Sequence, residues 1–218
     1  PDVIVARTLE KLGAKRPRPE NLDRYVNFGL QKLLRYQHDD GGWHWWEFDE
    51  SDPYISAYIV YGLKIAHEAG YVTAAAPLRR GVTFLLGALA DEEYRQAQAY
   101  LLWALAYANV WDKKTWDAAV EVTADLEENR EKLDVFSRAS LGLAVHYLSR
   151  SVKEGDRERI AALAREMAEE LDALAIKEGI GAHWAPEGQA RYSWLNNDVE
   201  VTCQVLRLLL AATPDSEN

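Results

Sequence analysis

Asp39, Asp40, Glu47, Asp49, Glu50 and Asp52 fall within fourteen residues, interleaved with Trp43, Trp45 and Trp46. Paired carboxylates beside flat aromatic rings suit two kinds of chemistry. One carboxyl could protonate a glycosidic oxygen while a second activates water or attacks, with sugar stacked on indole. Clustered carboxylates could instead hold Ca²⁺, but no Asp-x-Asp-x-Asp-Gly spacing of a calcium loop occurs. The plainer reading is that the acids cap a helix or sit in solvent. The tryptophans then pack the loop onto neighbouring helices. If the stretch is extended, His44 points away from the face that Trp43 and Trp45 share.

The remaining reactive side chains are scattered. His38, His67, His146 and His183 form no His-x-x-x-His pair, so no metal ligand set is expected. His146 lies in an apolar segment and reads as a hydrogen-bonded core residue. The single cysteine, Cys203, excludes an internal disulfide and a cysteine-rich zinc site. It lies in an apolar segment expected to be buried, with only Arg207 nearby in sequence, so it reads as a small hydrophobe rather than a nucleophile. No catalytic residue and no cofactor are assigned.

Periodicity tells which elements carry these groups. Apolar residues recur at helical spacing almost throughout. Helices are expected at about 1–12, 22–36, 53–70, 75–89, 92–108, 114–128, 132–149, 156–177 and 197–212. The second should bury Tyr25, Val26, Leu30, Leu33 and Leu34. Ser51 or Asp52 and then Pro53 should open the third, and Gly70 should close it. Asn196, Asn197, Asp198 and Glu200 mark the start of the last. The irregular stretch 178–196 has room for a short hairpin.

Two kinds of helix alternate. "ISAYIVYGLKIA", "AQAYLLWALAYA", "RASLGLAVHYL" and "VTCQVLRLLLAA" are apolar nearly all round and should be buried. "WDAAVEVTADLEENREKL" and "DRERIAALAREMAEELDALAIK" each carry a charged face. Ala57-Tyr58 precedes Ala99-Tyr100 by 42 residues, and Ala99 precedes Ala139 by 40. A period near 40 with two helices per unit is a helical-hairpin repeat. An open solenoid and a closed α/α toroid both fit. Small residues spaced along the apolar helices suit a crowded inner ring, which favours the all-α toroid over one domain, 1–218.

Composition limits the partners. Lys and Arg total 25 against 35 Asp and Glu, a net charge of −10. That argues against nucleic acid and anionic membrane surfaces. No run approaches ~18 apolar residues, so no segment of this chain should insert in a membrane. The helical pattern is already running at Val3, Ile4, Val5 and Leu9, and the one methionine is Met167. We therefore expect a piece of a longer protein.

"LLRYQHDDGGWHWW" followed by "DPYISAYIVYGLKIAHEAG", together with the closing "AHWAPEGQARYSWLNNDVEVTCQVLRLLLA", resembles the thioester domain of bacterial alpha-2-macroglobulins. "PDVIVARTLEKLG" resembles the helix that follows the thioester motif there. The Gln-x-x-Asp-Gly-Gly-Trp element alone is shared with terpene cyclases and protein prenyltransferase β-subunits, but the order of both end segments is more specific. The resemblance covers essentially the whole chain. It implies an α/α toroid in a secreted or periplasmic protease trap, partnered by neighbouring domains and by target proteases. It also implies a Cys-x-x-Gln thioester that acylates a target nucleophile. This sequence departs from the pattern: Leu206, not Gln, stands three residues after Cys203. By register the pair would precede Pro1. The link "ALADEE" also lacks the histidine that assists acyl transfer in the complement branch.

An enzyme on the same scaffold is the alternative. "HDDGG" and "DESD" match neither the Asp-x-Asp-Asp acid nor a diphosphate site of terpene cyclases. A lone Cys203 does not make a prenyltransferase zinc site. A polysaccharide hydrolase or lyase needs only acids and aromatics in a cleft. A plain helical scaffold that docks neighbouring domains is a third reading. The candidate ligand or partner surface comprises Trp43, His44, Trp45, Trp46, Asp52, Tyr54, His183, Trp184, Tyr192 and Trp194.

Overall fold

The computed structural model describes Ile4 and residues 21–71, 74–91, 95–187 and 197–213. Among these the chain forms eight α-helices and one two-stranded sheet. It divides into two compact units, Pro1–Ala88 and Leu89–Asn218.

In the first unit, α1 (Leu22–Arg35), α2 (Pro53–Glu68) and α3 (Ala75–Asp91) fall where predicted, but α2, expected to be buried nearly all round, exposes Tyr58 and Gly62. The buried stripe of α1 is Leu22, Val26 and Leu30, four residues apart. Tyr25 and Leu34, expected inside, are exposed instead. The stripe is narrower than the run of apolar residues, and these two lie on its flanks. Asp52 caps α2 by accepting from the Ile55 amide at 2.9 Å, and Pro53 occupies the first turn. At the other end, the Tyr71 amide donates to Ala66 O and the Gly70 amide to His67 O. This is the paired closure of a Schellman motif, with Gly70 at φ +93°.

The second unit contains α4 (Arg95–Ala108), α5 (Lys113–Glu128), α6 (Val135–Ser149), α7 (Glu154–Asp172) and α8 (Asp198–Ala212). Helix α6 packs against α4, α7 and α8. Eleven of its fifteen residues are buried, so it has no solvent face. A helix touched on several sides needs small residues at the contacts, and Ala139, Ser140, Gly142 and Ala144 supply them. A β-carbon on Gly142 would stand 2.6 Å from Leu208 of α8, so glycine permits that close approach. Beside it, Gln204 donates to Ser140 Oγ at 3.0 Å, and Ser140 donates to Phe136 O, so these buried polar groups are satisfied.

The charged helices behave as expected. Asp112 and Thr115 form a capping box at the start of α5. The backbone amide and then the hydroxyl of Thr115 hold the Asp112 carboxyl below its usual pKa. Arg130 donates to Glu166 and Glu170 of α7, each at 2.7 Å. The Glu166 hydrogen bond is the largest of the influences that raise its pKa.

Two element boundaries differ from expectation. Helix α6 begins at Val135, because Arg130–Lys132 forms a 3₁₀ turn and Asp134 caps α6 through the Ser137 amide. Helix α7 ends at Asp172, and Ile176–Glu178 (β1) pairs antiparallel with Gly181–His183 (β2). Gly179, at φ +60°, opens the two-residue connection. The expected helix at 1–12 lies outside the described residues. The last helix is not buried all round: Val199, Leu206 and Leu210 are exposed, as is Cys203.

His146 is half-buried on α6, and Arg150 Nη2 lies 3.0 Å from its Nε2. Burial, and then the Arg150 charge, hold its pKa below the ordinary 6.5. The unfolded chain thus binds a proton there before the folded one does. Stability supplied by neutral His146 is complete above 6.5 and declines as pH falls through the folded pKa. A His146→Gln variant should show a shallower loss of urea stability than the parent between neutrality and mild acid. In the same unit, Leu141→Ala should cost about 2–5 kcal/mol in urea denaturation, since Leu141 is fully buried.

Candidate functional site

The candidate stretch links the end of α1 to the start of α2 and splits into a buried base and an exposed tip. Trp43 forms the base and is only 1% exposed. Its amide donates to Ser56 Oγ at 2.8 Å, and the Ser56 hydroxyl lies 3.3 Å from the Trp43 carbonyl. The Asp52 amide donates to that carbonyl at 2.8 Å. The indole donates to Leu33 O at 2.8 Å, in the last turn of α1, where a helix leaves its carbonyls without intrahelical partners. One side chain thereby ties the end of one helix to the start of the next.

The two glycines fit the same junction. Gly41 has φ +96°, and a β-carbon there would lie 2.5 Å from Arg80 O of α3. Gly42 runs against Ser51 and Phe84. Gly81 of α3 leaves room for the Trp43 ring and Val60. Gln37 donates to Gly41 O at 2.8 Å and Pro77 O at 2.9 Å, and Arg80 donates to His38 O at 2.6 Å. Asp40 accepts from the Gly42 amide and from Ser51, and His38 Nδ1 lies 2.9 Å from Ser51 Oγ. Asp40 and Asp52 are therefore occupied in holding the loop.

The tip differs. Trp45 and Trp46 are 68% and 72% exposed, so neither packs the loop onto helices as expected. Trp45 does not share the buried face of Trp43, because the chain bends after His44 instead of running extended. His44 Nδ1 is 3.1 Å from Asp49 Oδ2 and 3.3 Å from the Trp46 amide. Phe48, which the sequence reading passed over, is 95% exposed.

The other predicted residues fall in different settings. Tyr54 is buried in the first turn of α2, away from any surface. In the second unit, His183 ends β2 and is partly exposed, while Trp184 is buried. Tyr192 and Trp194 lie outside the described residues. Trp184 repeats the contacts of Trp43. Its amide donates to Thr202 Oγ1 at 3.0 Å, and that hydroxyl lies 3.3 Å from the Trp184 carbonyl. Its indole donates to Leu171 O at 2.6 Å, in the last turn of α7. Asn197 caps the following helix, α8, through the Glu200 amide. Ser56 and Thr202 were not singled out from sequence. Each is a hydroxyl early in the helix that follows its tryptophan, but the separations of 13 and 18 residues share no fixed spacing.

Cys203 stands exposed on α8 rather than buried. The buried stripe Val201, Val205 and Leu208 lies on the opposite side from it. Among the described residues, no cluster of three or more His, Cys, Asp or Glu could hold a metal ion. None of their helices is long and apolar enough to cross a membrane.

A 66-residue stretch, 30% of this chain, is 46% identical to an alpha-2-macroglobulin of Thermotoga maritima and covers 4% of that protein. An 87-residue stretch, 39% of this chain, is 33% identical to an alpha-2-macroglobulin of Escherichia coli and covers 5% of it. Parts of this chain are homologous to bacterial alpha-2-macroglobulins. The matched stretches span a small fraction of these long relatives, as a module within a larger protein would. No protein-family model matches the chain.

The split between base and tip has a measurable consequence. Trp43→Ala should destabilise the chain by about 3–5 kcal/mol. Gly41→Ala should also destabilise it, by more than about 1 kcal/mol, because the left-handed backbone and the Arg80 carbonyl both oppose a β-carbon. Trp45→Ser and Trp46→Ser should each stay within about 0.5 kcal/mol of the parent. Urea denaturation followed by circular dichroism reads all four.

Proposed function

We propose that this chain is the thioester domain of a bacterial alpha-2-macroglobulin-like protein, and that it serves an extracytoplasmic protease trap rather than acting as an enzyme. The observation that carries this reading is the identity to two bacterial alpha-2-macroglobulins over 66 and 87 residues. The twice-used tryptophan tie supports the accompanying architecture. A helix, a tryptophan loop and an apolar helix form one unit of a repeating α/α arrangement. Repetition of that unit is the basis for proposing a single α/α toroid over the whole chain.

In this reading the domain shelters an acyl electrophile until cleavage elsewhere in the trap releases it. A thioester joins a cysteine sulfur to the side-chain carbonyl of a glutamine. A lysine amine of the protease attacks that carbonyl, an amide bond forms, the carbon–sulfur bond breaks and a thiol is freed. Cys203 is not the sulfur donor, since Leu206 occupies the position three residues on. The pair would belong to the parent protein, N-terminal to Pro1. The absence of a histidine from "ALADEE" fits direct amine acylation.

A polysaccharide hydrolase or lyase is the competing reading. Two of the loop's aspartates weigh against it. Asp52 caps α2, and Asp40 is bonded to Ser51 and Gly42, so neither is free to serve as acid or base.

Methylamine treatment of the full-length parent distinguishes the two. The expected result by mass spectrometry is a methylamide on a glutamine upstream of this segment, together with a new free thiol. An unchanged mass would identify a parent without a thioester. Oligosaccharide turnover lost on Asp52→Asn or Glu47→Gln would overturn the module reading.

A further inference from the structure

We propose that the tip of the loop between α1 and α2, residues 44–50, is a docking surface for a polypeptide segment that presents lysine or arginine side chains. Trp45, Trp46 and Phe48 are 68%, 72% and 95% exposed within four residues. Each ring is a large apolar body, and three exposed rings gathered on one short loop mark an interaction site. The loop does not need them for its own fold, since Trp43 alone provides the buried anchor.

Charge selects the partner. No lysine or arginine occurs between Arg35 and Lys64 in the sequence. Asp39, Glu47 and Glu50 are exposed and have no hydrogen bond or ion pair among the described residues. Arg80, against the loop base, is already committed to the His38 carbonyl. Elsewhere in the molecule aromatic rings carry cations: Lys32 lies over Phe28, Arg150 over Tyr147 and Arg207 over Trp103. Among the described residues none lies over Trp45, Trp46 or Phe48. Indole faces flanked by unpaired carboxylates suit a guanidinium or ammonium group, which stacks on the ring while the acids balance its charge. A neutral sugar would leave those acids unpaired.

The surface is also prepared for binding. Its base is tied to α1, α2 and α3, and its tip is drawn together by His44, Asp49 and the Asp49 amide bond to Trp46 O. Less freedom is therefore lost when a partner arrives. None of this depends on the thioester, so failure of one proposal leaves the other standing.

The test is calorimetric titration of the 218-residue chain with an arginine-rich peptide spaced by glycine and serine, at low and at physiological salt. Trp45→Ser/Trp46→Ser/Phe48→Ser keeps the net charge and should weaken binding at least ~10-fold. Glu47→Gln/Glu50→Gln should weaken it ~5-fold and flatten the salt dependence. Glu158→Gln/Glu169→Gln, on the exposed face of α7, should leave it unchanged. Equal binding by the aromatic variant would mean that net charge alone attracts the peptide, and would overturn the proposal. So would oligosaccharide binding that needs Trp45 and Trp46 while the peptide fails to bind. Self-association of the chain that the aromatic variant abolishes would overturn it as well, by placing a second copy on the loop. Circular dichroism melts of each variant establish that it is folded.

Discussion

Trp43 and Trp184 each bury an indole whose one polar atom is set against an acceptor, and that pairing organises a helix junction in each unit. Trp43 and Trp184 each reach a last-turn carbonyl, Leu33 O and Leu171 O, with the indole nitrogen. Each also has its backbone bonded to a hydroxyl of the following helix, Ser56 or Thr202. A single residue thus satisfies a helix end, fills the gap between two helices and fixes where the second begins. Other features of the first junction accommodate this arrangement. Gly81 makes room for the ring, Gly41 passes against α3, and Asp52 caps α2 next to the Trp43 carbonyl.

In the second unit close contact is also achieved with small side chains. Helix α6 is buried on nearly every side and is built from Ala, Ser and Gly where its neighbours approach. Leu208 lies against Gly142, and Gln204 reaches Ser140 one turn away. The charged helices need no such economy of volume. Their ion pairs, such as Arg130 with Glu166 and Glu170, lie near the surface and add little to stability. Among the described residues no cluster of three or more His, Cys, Asp or Glu could hold a metal ion, and Asp40 and Asp52 serve as loop brace and helix cap. What faces outward is an aromatic tip with unpaired carboxylates.

Much of this was legible from residues alone. Pro53 after Asp52 marked the start of α2, Gly70 its end and Asn197 the cap of α8, because each acts within a few residues of its own position. The boundary of α7 was not legible. The run through Lys177 keeps a helical composition, yet the chain turns into β1 to pair with β2. Nor was the role of Ser56 and Thr202. They stand 13 and 18 residues after their tryptophans, so no fixed spacing announces them. Trp45 and Trp46 looked equivalent to Trp43 by type and proximity, and Phe48 drew no attention. One burial site exists at the junction, and one ring fills it.

The helical class, the alternation of apolar and charged helices, the caps and the acidic balance were readable from the residues alone. Those properties follow from residue type and short spacing, which the chain carries wherever it goes. The tertiary structure decided which tryptophan is buried, which acids are occupied, that Cys203 faces out and that Tyr25 and Leu34 flank rather than fill the core. Each of these depends on space left by residues distant in the chain, such as Gly81 beside Trp43. That competition for volume has no local signature.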